Sequence, residues 1–121
     1  MVIQGVGLTV TGSLFANGGG GASGAPGPIG TGASGENGSN RDTTPAAGAG
    51  SVSGNGAGGN GGFKTVAPGN GGKPTTSGAA GGGGGGSVGF LQVYAPLNVT
   101  PAISPAHASP PFQPNAVVQT R

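Results

Sequence analysis

Gly18, Gly21, Gly24, Gly27 and Gly30 fall three residues apart, and after a one-residue slip Gly32, Gly35 and Gly38 resume the beat. Shorter echoes occur at Gly56, Gly59 and Gly62, and at Gly78, Gly81 and Gly84. A flexible linker has no reason to keep a period of three. A left-handed helix of about three residues per turn, polyproline II or polyglycine II, does. Such a helix places every third residue on one edge, and glycine there lets a second backbone approach closely. The beat therefore predicts a bundle of extended glycine helices, with essentially no α-helix.

Composition shows how little else could hold such a bundle together. Of the 121 residues, 32 are Gly and 11 are Pro. Seven of the large apolar residues (Val, Ile, Leu, Phe) lie in 1–17 and ten in 88–121; only Ile29, Val52, Phe63 and Val66 lie between. Ordering each residue costs about 1–2 kcal/mol, and a backbone hydrogen bond returns only about 1 kcal/mol net. A glycine bundle standing alone is marginal, so neighbouring subunits, a flanking sheet or both are expected to order it. There is no cysteine to supply a disulfide or a thiolate metal site.

Read in order, the chain divides into four parts. Residues 1–17 form an N-terminal strand segment. Val2, Val6, Leu8, Val10, Leu14 and Ala16 share one parity, and Thr9, Thr11 and Ser13 the other. Gln4 and Gly12 interrupt the first set, and Gly5, Gly7 and Gly12 suggest a bulge, a bend or a close backbone neighbour. Residues 18–87 are the polyglycine II-like region. Pro26 and Pro28 suit the left-handed helix because their φ is already near the required value. Arg41-Asp42 and Thr43-Thr44-Pro45 read as an exposed turn, as do Pro68-Gly69-Asn70-Gly71 and Lys73-Pro74-Thr75-Thr76.

Residues 88–99 form a second strand. Val88, Phe90 and Tyr94 lie on one face, and Leu91, Val93, Leu97 and Val99 on the other, so it expects cover on both sides. Residues 100–121 are an extended proline-rich arm. Pro101, Pro105, Pro110, Pro111 and Pro114 forbid a helix or a central strand, yet Ile103, Phe112, Val117 and Val118 are apolar. The fold class is mostly β or irregular: short strands flanking a glycine bundle, then the arm. The arm is expected to lie along a neighbouring subunit. Val88, Phe90, Leu91, Val93, Tyr94, Leu97, Ile103, Phe112, Val117 and Val118 are the candidate assembly residues.

The segment Gly7-Leu8-Thr9-Val10-Thr11-Gly12-Ser13-Leu14, followed by Ala16-Asn17 and a glycine run, resembles a rung of the parallel β-helices of secreted bacterial adhesins. The second bracket, Gly81 to Gly86 and then Ser87-Val88-Gly89-Phe90-Leu91-Gln92-Val93, resembles the close of glycine-rich excursions in secreted proteins of myxobacteria-like bacteria. The triplet region is similar to springtail glycine-rich antifreeze proteins and to glycine-rich phage tail adhesins, both built from polyglycine II bundles. The chain departs from the antifreeze proteins in lacking cysteine and in carrying two strands. The resemblance implies an extracellular or cell-surface location.

Catalytic chemistry is scarce. Gly54-Asn55-Gly56-Ala57-Gly58-Gly59 fits the dinucleotide fingerprint, but no strand–helix context surrounds it and no acid follows it in the chain. Gly72-Lys73 is followed by Pro74, not the Ser or Thr of a phosphate loop. His107 is the only histidine, and Glu36 and Asp42 are the only acids. No catalytic, cofactor or metal site is expected, and the chain is expected not to be an enzyme. The four cations Arg41, Lys64, Lys73 and Arg121 do not cluster, which argues against nucleic-acid binding. No run of apolar residues is long enough for a transmembrane helix. The first residues carry neither a basic n-region nor a long apolar h-region. Asn37-Gly38-Ser39 and Asn98-Val99-Thr100 fit the glycosylation sequon, with Pro101 disfavouring the second. Five Asn-Gly pairs, at Asn17, Asn37, Asn55, Asn60 and Asn70, suit turns or backbone caps and are open to deamidation.

Three functions fit. The leading one is a self-assembling extracellular fibre, filament or sheath, its partner a second copy of the chain. The alternative is an adhesin or tail-tip module that uses Arg41, Phe63 and Lys73 in its loops to read a cell-surface or glycan ligand. The third is an ice-binding protein.

Overall fold

Short apolar runs broken by glycine and proline cannot make long strands, and the chain uses them as the sides of a coil. The computed structural model describes residues 1–27, 30–112 and 117–120. Pro28, Ile29, Pro114 and Arg121, named above, lie outside them. No helix occurs among the described residues, and the chain is mostly β or irregular. The strands are β1 (Val2–Gln4), β2 (Thr9–Val10), β3 (Ser13–Phe15), β4 (Gln92–Pro96), β5 (Ala102–Ile103), β6 (His107–Ser109) and β7 (Val117–Thr120).

Every pairing between these strands is parallel. One sheet has the order β1-β4-β7, a second pairs β2 with β5, and a third pairs β3 with β6. After β6 the chain returns to lie beside β4 in the same direction, so it has travelled around a closed circuit. β1, β2 and β3 make a first turn with three sides. β4, β5 and β6 stack on it as a second turn, and β7 opens a third. The register places Ile3 beside Val93, Val10 beside Ile103 and Leu14 beside Ala108. Val10, Leu91, Val93 and Ala95 are buried.

The corners follow the sequence. Val6 and Gly7 bend between β1 and β2, and Gly12 bends between β2 and β3. In the second turn Leu97-Asn98 forms the first corner, with Asn98 at φ 66°, a left-handed conformation that asparagine tolerates better than most residues. Pro101 and Pro105 flank β5, where they do not interrupt a ladder.

Two expectations change here. The run 2–16 is three strands, not one, and each corner resets the alternation. Ile3 therefore turns towards the interior, while Val2 and Val6 are 65% and 80% exposed. The proline-rich arm pairs with its own chain: β5 lies on β2, β6 on β3 and β7 on β4. A coil supplies what an arm read linearly lacks, a previous turn to lie against.

The glycine-rich region fills one corner of the first turn. The corner after β6 spans 110–116, whereas the equivalent corner after β3 spans 16–91. Its stem is closed at the base, where Ala16 donates to the Ser109 carbonyl and accepts from Gly89, each at 2.7 Å.

Within that corner the chain runs up and down as six extended segments, g1 (18–25), g2 (30–38), g3 (46–50), g4 (55–62), g5 (69–73) and g6 (79–88). Gly18, Gly21 and Gly24 donate to Gly62, Gly59 and Gly56, and Gly56, Gly59 and Gly62 donate in turn to Ala80, Gly83 and Gly86. Bonds that recur every third residue are the signature of polyglycine II-type packing. Successive segments are antiparallel; the non-successive pairs g1 with g3 and g4 with g6 are parallel. The bonds arrange them as two layers, g2-g1-g6 over g3-g4-g5, with g1 and g4 at the centre.

Glycine at the interior edges is obligatory. A Cβ on Gly21 or Gly58 would fall well inside 3.0 Å of a carbonyl oxygen on a neighbouring segment. The bundle interior is thus mostly backbone, with Ala46 and Ala49 as its buried apolar side chains. Buried polar groups are satisfied. Asn55, 1% exposed, accepts from the Ala80 amide at 3.0 Å and donates to the Val52 carbonyl at 2.6 Å.

Candidate interaction surfaces

The hydrogen-bond register sorts the bundle loops between two ends. At the base, beside the coil, lie the loops 39–45 and 63–68. At the far end lie Ala25 to Gly27, 51–54 and 73–78. Thr75 donates to the Gly54 carbonyl at 2.8 Å and ties two of the far loops together. Arg41 and Phe63 are therefore at the base and Lys73 at the far end. The three residues that the sequence offers as one recognition surface are not brought together.

The base is a polar joint. Ser109 is fully buried in β6, accepts from the Lys64 amide at 2.8 Å and donates to Asn17 Oδ1. Asn17 Nδ2 reaches the carbonyls of Ser39 and Arg41 at 2.8 and 2.7 Å. Outside this layer Asp42 Oδ2 lies 3.0 Å from His107 Nδ1 and 3.9 Å from Lys64 Nζ. The hydrogen bond from His107 is the main cause holding the Asp42 carboxyl below its ordinary value; burial opposes it, and the charges of His107 and Lys64 add to it. Arg41 lies 3.5 Å from Glu36, with both side chains more than half exposed, so this pair adds little stability. Glu36 and Asp42 take separate partners and do not form an acid–base dyad. Sequence reading isolated His107 and Asp42 as lone groups; nothing in their spacing showed that they meet.

Beside the stem is a depression of about 240 Å³ lined by Lys64, Val88, Gly89, Phe90, Leu91, Pro110 and Pro111. Phe90 stands 82% exposed at its wall, whereas Leu91 turns inward and is 6% exposed. The other candidate assembly residues spread over the coil. Val93 is fully buried, Tyr94 pairs with Gln4 and Val118, Leu97 is exposed at a corner, Ile103 is half-buried in β5, and Phe112 is half-buried after β6. Val117 pairs with Val93 through the backbone.

Two sets of backbone groups remain open. Among the described residues β1, β2 and β3 each have a strand on one side only, and so do β5, β6 and β7. Met1, Val2 and Val6 are exposed beside the first of these edges. On g6, the amides of Gly81, Gly84 and Ser87 form an exposed edge and donate to nothing among the described residues. A Cβ at Gly81 or Gly84 would meet nothing closer than 3.6 and 3.5 Å, so neither glycine is required by the chain's own packing. The corresponding outward edges elsewhere carry side chains, such as Thr31 and Ser34 on g2 and Asn70 and Lys73 on g5.

Among the described residues no group of His, Asp and Glu could hold a metal ion, and no helix is long and apolar enough to cross a membrane. No family model matches the chain, and neither a curated protein nor a solved structure matches it.

Proposed function

We propose that this chain is a non-enzymatic extracellular structural protein that self-assembles into a fibre, filament or sheath. The observation that carries the reading is the coil with open ladders at both ends. A strand edge with free amides and carbonyls is a template for another strand, and a stacked coil of so few turns buries too little to stand well without neighbours. In this reading the first-turn edge of one copy takes the last-turn edge of the next. The arm then acts through β5, β6 and β7 as part of the coil, and g6 offers a lateral contact where a second glycine helix fits without side-chain obstruction.

Electron microscopy of the purified chain, with Val2→Lys/Gln4→Lys as the control, tests this. Filaments from the unaltered chain that disappear in the variant support the reading. Monomers at all concentrations, with the fold intact, overturn it.

A second reading rests on the far end of the bundle. Lys73, Pro74, Thr75, Thr76 and Ser77 are all exposed there, as an adhesive tip requires. A glycan or cell-surface ligand would then be read by Lys73 and the adjacent hydroxyls, with Arg41 and Phe63 taking no part. Loss of cell or glycan binding in Lys73→Ala/Thr75→Ala, with binding retained in Arg41→Ala, separates this reading from assembly.

A further inference from the structure

The five Asn-Gly pairs are chemically alike in sequence and unlike in structure. Deamidation begins when the amide nitrogen of the glycine attacks the asparagine Cγ. That nitrogen loses its proton to base, the Cγ–Nδ2 bond breaks, ammonia leaves, and a succinimide ring remains. Water then opens the ring at either carbonyl to give aspartate or the β-linked isomer. Two groups must be free for the first step: the glycine amide and the asparagine side chain.

Three pairs have both groups held. The Gly18 amide donates to Gly62 at 2.9 Å, while the Asn17 side chain bonds Ser39, Arg41 and Ser109. The Gly56 amide donates to Ala80 at 2.9 Å, while the Asn55 side chain is buried and bonded at both ends. The Gly61 amide donates to Ala46 at 2.9 Å, while Asn60 Oδ1 accepts from the Gly48 amide at 3.0 Å. Amides held in this way react only when the segment opens locally.

The other two pairs have neither group held. Asn37 on g2 and Asn70 on g5 are exposed, and among the described residues their side chains and the amides of Gly38 and Gly71 make no hydrogen bond. They lie at the ends of opposite layers of the bundle. We infer that Asn37 and Asn70 are the sites at which the folded chain deamidates, and that packing protects Asn17, Asn55 and Asn60. Each conversion adds one negative charge, so both together take the formal charge of +2 to neutrality. The β-linked product also inserts an extra backbone carbon. After Asn37 that insertion comes immediately before Gly38, whose missing Cβ gives room to the Asn17 carbonyl, so the three-residue beat is broken at an edge that packs on g1.

The experiment is peptide mapping by mass spectrometry of the full chain aged in mildly alkaline buffer, folded and in guanidinium. The expected result is acid at Asn37 and Asn70 first, with Asn17, Asn55 and Asn60 about tenfold or more slower in the folded chain. In denaturant the difference should vanish. Conversion of Asn17, Asn55 or Asn60 in the folded chain as fast as Asn37 overturns the inference. So does survival of Asn37 and Asn70 in the folded chain while the denatured chain converts.

Discussion

Gly89 donates its amide proton to the carbonyl of Ala16 at 2.7 Å, closing the whole glycine-rich region at its stem. The same Ala16 donates its own amide to Ser109 on the next turn of the coil. One residue thus joins the bundle to the coil in both directions through backbone hydrogen bonds.

Ser109→Ala tests the joint. It leaves Asn17 Oδ1 and the Lys64 amide without their partner, the fully buried Ser109 hydroxyl. A loss of about 1–3 kcal/mol is expected, read as a lowered midpoint in denaturant. An unchanged midpoint would show that the stem is not where the structure places it.

Glycines at interior and outward edges should respond in opposite ways. Gly58→Ala forces a methyl against the Gly21 carbonyl and should cost about 3 kcal/mol or more, because the atom in the way is rigid backbone. Gly84→Ala makes only ordinary van der Waals contact, 3.5 Å from the Gly69 carbonyl oxygen, at a backbone conformation that suits an L-residue. It should be neutral, or stabilise the single chain by about 0.4–1 kcal/mol through the unfolded state. Thermal unfolding of the two variants compares them directly. In the assembled form Gly84→Ala is the harmful one if g6 is a contact.

Amide exchange should follow a two-in-three rhythm. In g4 the amides of Gly56, Gly58, Gly59, Gly61 and Gly62 donate within the bundle, while those of Ala57 and Asn60 do not. In g6 Gly82, Gly83, Gly85 and Gly86 donate, and Gly81 and Gly84 do not. Hydrogen exchange followed by NMR should show the first sets protected and the second exchanging freely. Uniform fast exchange from 18 to 88 would mean that no bundle forms.

The base loop should loosen in acid. Asp42 has its folded value below the ordinary 3.8, chiefly through the hydrogen bond from His107. Its contribution is therefore complete above that ordinary value and is lost as pH falls through the lower folded one. Melting curves of the unaltered chain and of Asp42→Asn should differ at neutral pH and converge at the acid end. A gap that stays constant throughout would remove the Asp42–His107 pair from the account.

The glycine beat was readable because along g1, g2 and g4 it is a local requirement: positions such as Gly18, Gly21, Gly24, Gly35, Gly56 and Gly59 face a neighbouring backbone, and only glycine fits. The sequence also showed strands before and after the bundle. Beyond the resemblance of Gly7 to Leu14 to a β-helix rung, it did not show how the coil closes. Its turns are closed by pairs such as Thr9 with Ala102 and Ser13 with His107, and no short-range pattern connects residues so far apart. The corners at Val6-Gly7 and at Gly12 were visible as glycines, but not the change of phase that they impose. For the same reason Val2 and Val6 read as core and stand exposed, and the proline-rich arm read as unpartnered. Arg41 and Lys73 both read as loop residues, and only the up-and-down path through g1 to g6 sends them to opposite ends.

The two turns of the coil treat the same corner differently: one crosses it between Ser109 and Val117, the other between Phe15 and Gln92. Stacking depends on what occupies the sides, and the corners are free to vary. A gene encoding such a coil can therefore gain or lose a whole folded outgrowth at a corner without shifting the register of any rung. The glycine bundle behaves as a cassette: its ends meet at Ala16 and Gly89, so exchanging it for another length of sequence changes what projects from the coil while leaving its spacing intact.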